Sequence, residues 1–88
     1  MRRLVTALIL GLVPASAIAG PTCTSEPKAK WLSEGAMKAK IAALGYKYKV
    51  FKVTVGNCYE IYGHDQSGQR IEIYFHPITG SVVEEHKS

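Results

Sequence analysis

Between Gly68 and Val83 the chain reads GQRIEIYFHPITGSVV. Ile71, Ile73 and Phe75 alternate with Glu72, Tyr74 and His76, and Pro77-Ile78-Thr79-Gly80 then reverses direction. Hydrophobicity with a period of two marks a strand with one face in a core and the other in water. It rules out a helix here and commits the chain to an antiparallel sheet with one buried side. The segment upstream obeys the same rule, with Tyr59 and Ile61 on one face and Glu60 and Tyr62 on the other. Between the two runs, Asp65-Gln66-Ser67-Gly68 fits a three-residue hairpin loop with Gly68 left-handed. Such a loop pairs Asp65 with Gln69 and thereby sets the register. Tyr59 then opposes Phe75 and Ile61 opposes Ile73 on the core side. Outside, Glu60 opposes Tyr74, Tyr62 opposes Glu72 and His64 opposes Arg70. A slip of one residue would turn both faces over together, so the agreement of both supports the pairing.

The flanking elements follow from the same kind of reading. A first strand spans Tyr46 to Val55, but its phase changes midway. Tyr46, Tyr48 and Val50 alternate in one register and Phe51, Val53 and Val55 in the other, which predicts a bulge near Val50. A two-residue Gly56-Asn57 turn would put Val53 and Val55 on the face of Glu60. A three-residue loop that includes Cys58, the preferred reading, keeps them in the core and leaves the thiol free to reach Cys23. A fourth strand, Ser81 to Glu84, follows the Pro77–Gly80 turn, and residues 85–88 read as a frayed tail. Upstream, Ser33 is a good N-cap and Leu32 can staple onto Met37. Met37, Ile41 and Leu44 at i, i+4 and i+7 make one apolar stripe, Glu34 and Lys38 form an i, i+4 pair, and Gly45 supplies the stop. The predicted fold is α+β: one helix, Glu34 to Leu44, packed on a three- to four-stranded antiparallel meander.

The N-terminal residues read as an address. Met1-Arg2-Arg3 is basic, Leu4 to Val13 is apolar but too short to span a bilayer, and Ala17-Ile18-Ala19 fits the small-residue rule for signal peptidase. Cleavage between Ala19 and Gly20 is expected, with no stable membrane anchor afterwards and delivery to the periplasm or the medium. An uncleaved membrane anchor is the other reading of the apolar run. The organisation is then a signal peptide at 1–19, an extended lead-in at 20–30, one domain at 31–84 and the tail.

Removing the signal changes the charge. Of 11 Lys and Arg, nine remain against seven acids, so 88 minus 19 leaves 69 residues with a net charge of about +2. The charge is also split. From Gly20 to Val55 there are seven Lys and two Glu; beyond, one Arg and one Lys face five acids. A domain of this size buries only about 60% of its unfolded surface. A bond between Cys23 and Cys58 in an oxidising compartment would add about 3–4 kcal/mol by chain entropy. Free thiols are the alternative, and a redox pair is disfavoured by the lack of a C-x-x-C spacing.

Catalysis has little to work with: there is no nucleophile elbow, no H-E-x-x-H and no phosphate loop. Glu60 and Glu72 are a carboxylate pair, but an open sheet offers no pocket to separate their roles. His64 and His76 lie about 20 Å apart along the strand and cannot share an ion, and Arg70 stands between His64 and the His86 tail, so no metal site is expected. Lys47, Lys49 and Lys52 interleave with Tyr46 and Tyr48, as nucleic-acid readers do. A lysine-rich edge strand more often guards against sheet-to-sheet aggregation, and no nucleic-acid partner is expected.

Taken in order, Cys23, Trp31-Leu32-Ser33, Gly45-Tyr46, Cys58-Tyr59-Glu60-Ile61-Tyr62, Asp65-x-x-Gly68, Glu72-Ile73-Tyr74-Phe75 and Pro77-x-Thr79-Gly80 resemble a stand-alone exported PepSY domain. The resemblance covers nearly the whole chain after the signal. It departs at His76, where Asp is common before the proline, and an imidazole is expected to hold that turn less well than a carboxylate. The resemblance implies a helix on an antiparallel sheet, without catalysis or cofactor, and a role in binding or restraining exported peptidases. On that footing Glu60, Tyr62, Glu72 and Tyr74 form the expected protein-contact patch. Two other classes stay compatible with the sequence. One is a periplasmic protein handling a small ligand, haem or metal in a pocket between helix and sheet, and the other a purely structural accessory module.

Overall fold

The computed structural model describes residues 20–88, so the signal segment and its cleavage site fall outside or at the very edge of what is described. A short 3-10 turn, Lys28–Lys30, precedes α1 (Glu34–Ala43) and four strands: β1 (Lys47–Val53), β2 (Tyr59–His64), β3 (Arg70–Phe75) and β4 (Val82–Lys87). They form one antiparallel sheet in the order β1-β2-β3-β4. This is the α+β meander read from the sequence. Met37 and Ile41 of α1 join Tyr59, Ile61, Ile71, Ile73 and Phe75 in a single core on one side of the sheet. Fully burying side chains of this kind contributes about 1.5–3 kcal/mol each.

The helix begins as its cap dictates. Ser33 Oγ accepts from Ala36 N at 3.1 Å, and Gly45, at φ 89°, ends the helix in the left-handed region that glycine favours. Two details depart from the expectation. Leu44 is the C-cap, where the chain is already leaving the helix, and it is 51% exposed, so the buried stripe stops at Ile41. Lys38 does not pair with Glu34; its ammonium sits over the Phe51 ring, 4.9 Å from the centroid, a cation–π contact made possible by the sheet below.

The β2–β3 register is the one predicted, pair for pair, from Tyr59↔Phe75 to His64↔Arg70. Asp65 drives it. One oxygen, Oδ1, accepts from Ser67 N (2.9 Å), Ser67 Oγ (2.7 Å) and Gln69 N (3.0 Å), and the Ser67 hydroxyl, then the Gln69 amide, hold its carboxyl below the ordinary range. Gly68 takes φ 86° as the loop requires. The first hairpin repeats this loop one residue earlier than expected. Its three residues are Val55, Gly56 and Asn57, with Asn57 at φ 62° in the place of Gly68 and Thr54 N bonded to Cys58 O. Val53 therefore packs against the core, but Val55 rides the turn at 85% exposed and is not a core residue.

The bulge is present: the β1–β2 register shifts between Tyr48 and Val50, which brings Tyr48 and Phe51 to the same side. Gly63 makes it possible, because a Cβ there would lie 1.9 Å from Lys47 O. The last strand runs past the predicted end at Glu84. Residues up to Lys87 pair with β3, and Ser88 N reaches Arg70 O at 3.1 Å, because β3 offers an edge as long as β2.

Candidate functional site

The outer face of the sheet, away from α1, carries the candidate residues, and a strap of chain decides which of them meet solvent. Cys23 and Cys58 are bonded (S–S 2.03 Å, Cα–Cα 5.2 Å). Beside the bond, Cys23 N donates to Gly56 O at 2.8 Å and Asn57 Nδ2 to Thr24 O at 3.2 Å. Residues 20–24 thus lie against the outer side of the first hairpin. Gly20 rests on the Tyr74 ring so closely that a Cβ would fall 2.5 Å from Cε2.

The four predicted residues are brought together as the register required, but they do not form one exposed patch. Glu60 is 2% and Tyr74 3% exposed, sealed at the strapped end of the face, whereas Tyr62 is 42% exposed and Glu72 half-buried. The Tyr74 hydroxyl donates to Glu72 Oε2 at 2.8 Å. Glu60 faces Lys52 at 3.8 Å, and its Oε2 is buried without a hydrogen-bond partner. A bare carboxylate oxygen in such a place is costly. Burial first, and then the Glu72 carboxyl, accordingly raise the Glu60 pKa. Glu72 moves the other way, lowered chiefly by Glu60. When the pair takes up a proton it therefore goes to Glu60 first, and Glu72 keeps its charge to lower pH. Both phenols stay protonated as donors beside these acids. Tyr62 is pushed up to about 12 by Glu72 and then Glu60, and Tyr74 higher still, by burial first.

Next to this sealed cluster the face opens. A cleft of about 580 Å³ crosses the sheet at the other end of the strands, between Lys49, Val50 and Tyr62 on one flank and Arg70, Glu72 and His86 on the other. Tyr62, Glu72 and His86 belong to one cross-strand row, Val50↔Tyr62↔Glu72↔His86. His86 is tied to Glu84 and meets the Tyr74 ring edge-on at 6.5 Å. Neither Lys49 nor Arg70 has an ion-pair partner among the described residues. The sequence reading missed the role of Lys49 and His86 in this cleft. Lys49 sits in the bulge, where alternation does not say which way a residue faces, and His86 reaches the row only because β4 continues beyond Glu84. Among the described residues no three potential metal ligands cluster, and no helix is long and apolar enough to cross a membrane.

A family model described as the peptidase propeptide and YPEB domain, PepSY_2, matches residues 3–86. The chain belongs to the PepSY_2 family. No curated protein and no solved structure matches it. At the level of the family this makes the chain a propeptide-like, peptidase-associated module, and its disulfide is compatible with an exported protein. The residues that carried the PepSY resemblance turn out to knit the helix to the sheet. The Tyr59 hydroxyl donates to Leu32 O at 2.7 Å and its ring meets Trp31 edge-on at 5.5 Å. Leu32 N donates to Pro77 O at 2.8 Å. Gly80, at φ 79°, tucks beneath Lys40 and Leu32 with no room for a Cβ. His76 takes part in holding the PepSY turn. Its Nδ1 accepts from Ile78 N at 3.2 Å as a carboxylate would, while Gly80 N closes on His76 O at 2.8 Å. A neutral imidazole has a lone pair in the right place.

Proposed function

We propose that this PepSY protein is an exported, non-catalytic binding module. It docks on a peptidase or peptidase precursor through the outer face of its sheet. Tyr62 and Glu72 make the contact, and Glu60 and Tyr74 serve beneath it as the buried support that fixes their positions. The observation that carries this reading is the exposure of Tyr62 on the rim of the cleft. An aromatic ring offers contact area at low entropic cost. The family's association with peptidase propeptides supplies the partner class. The small-ligand reading is less well supported, because the cleft lies on the open face and not between helix and sheet where that reading placed it.

Cross-linking mass spectrometry in the native envelope tests this. Wild type should capture an exported peptidase or precursor, and Tyr62→Ala should lose it with an unchanged circular dichroism spectrum. Lys47→Ala, outside the cleft, should retain it. Capture by Tyr62→Ala equal to wild type would overturn the proposal.

A further inference from the structure

The cleft crosses the strands, and this limits what it can recognise. β1 to β4 are hydrogen-bonded to one another across its floor, where Gly63 and Ile71 lie, so backbone groups there are already paired. A ligand cannot add as a strand and must be chosen by side chains. Those side chains are unequal in charge. Lys49 and Arg70 have no ion-pair partner among the described residues, whereas Glu84, Glu85 and Glu60 are each matched by His86, Lys87 and Lys52. The one acidic side chain lining the cleft, Glu72, has its charge shared with the Tyr74 hydroxyl and faces His86 across the row. A free guanidinium beside an exposed tyrosine is a carboxylate seat: the planar fork takes two oxygens at once, and the ring flanks whatever apolar group follows.

We propose that the cleft binds an acidic peptide segment of the docking partner, its carboxylate held by Arg70 with Lys49 opposite, and a neighbouring apolar side chain laid against Tyr62 and Val50. This rests on the docking role assigned to the face above and specifies the partner's chemistry. Glu72 sets the polarity of binding, because it repels a second acid at its own end. The acidic group therefore enters at the Arg70 end, and the apolar or uncharged part lies toward Glu72.

The probe is a blocked, fluorescein-labelled peptide with two adjacent aspartates followed by leucine and glycine, read by anisotropy, alongside its asparagine twin. The aspartate peptide should bind and the twin should bind at least about tenfold more weakly, since a charge-assisted pair is lost. Arg70→Gln should weaken the aspartate peptide by a similar factor and leave the twin unchanged, and added salt should erase most of the difference. Arg70 is exposed and joins the sheet through its backbone, with no side-chain bond or ion pair among the described residues, so the variant should fold as wild type. Equal binding of the two peptides, or no binding of the aspartate peptide, overturns the proposal. So does Arg70-dependent binding of inorganic phosphate, of a single-stranded oligonucleotide or of phosphatidylglycerol vesicles without binding of the peptide. Envelope capture that survives Arg70→Gln but not Tyr62→Ala would retire the acidic segment and leave the docking role standing. Capture that survives both would remove the two together.

Discussion

Glu60 shows how a polar position on a wet face can become an interior one. Alternation puts it outside the core, yet the strapped end of the face buries it with one oxygen unpaired. Its folded pKa lies above the ordinary carboxylate value of 4.5, so the folded protein binds that proton more tightly than the unfolded chain does. Glu60 therefore favours folding at acid pH, and this contribution is lost as pH rises from 4.5 through the raised folded value. Glu60→Gln keeps the shape without the charge. It should be more stable than wild type at pH 7, with the gain shrinking to nothing as pH falls below 4.5, in denaturant melts across that range. A variant less stable at pH 7 would show that the Lys52 contact outweighs the burial. Two glycines make a second test at this scale. Gly68 has open space around it and only its φ of 86° to defend, so Gly68→Ala should cost about 1 kcal/mol. Gly63→Ala drives a methyl into the Lys47 carbonyl, a backbone atom that cannot swing aside, and should cost more, about 2–3 kcal/mol. Equal midpoints for the two variants would mean that the bulge yields freely.

At the scale of elements, the strap and the two hairpins form a unit. Both hairpins use the same three-residue loop, closed in one case by Asp65 and in the other by Thr54, whose Oγ1 accepts from Cys58 N at 3.0 Å. That closure aims Cys58 outward, and the bond to Cys23 then pins the strap against the hairpin with Gly20 on Tyr74. Replacing both cysteines by alanine should cost about 3–4 kcal/mol through the entropy of the released loop. A packing account adds a second consequence. The strap should lift, exposing Tyr74 and letting the Glu60 carboxyl return toward ordinary values. Carbon-detected NMR titration of the glutamates, in parallel with thermal melts, reads both effects. A melt shifted with an unmoved Glu60 titration would assign the bond a purely entropic role.

For the whole molecule the split of charge matters more than its sum. The lysines gather in the N-terminal half and the acids in the C-terminal half, and the meander sets Lys47, Lys49 and Lys52 on the β1 edge and Glu84 and Glu85 on the β4 edge. The cleft lies between them and draws its unmatched cations from both flanks. The signal reading carries a prediction at this scale. The intact mass of the mature protein should correspond to a chain beginning at Gly20, the residue that rests on Tyr74 with no space for a side chain. A species retaining Met1 in a membrane fraction would contradict the signal reading.

The alternation at Ile71, Ile73 and Phe75, the Asp65–Gly68 loop, the Ser33 cap and the bulge near Val50 were legible because each is local chemistry. A period, a left-handed glycine or a capping hydroxyl acts within a few residues and leaves its trace in their order. The placement of Val55 on the turn was misread, since Asn57 can take the left-handed position as glycine does. Tertiary structure alone decided the site. Nothing in the order of residues says that the lead-in folds back over Tyr74, that β4 extends to bring His86 beside Glu72, or that Lys49 in its bulge borders the same cleft as Arg70. Each depends on segments far apart in the chain meeting across the sheet, where burial and charge are set by neighbours that the local pattern does not contain.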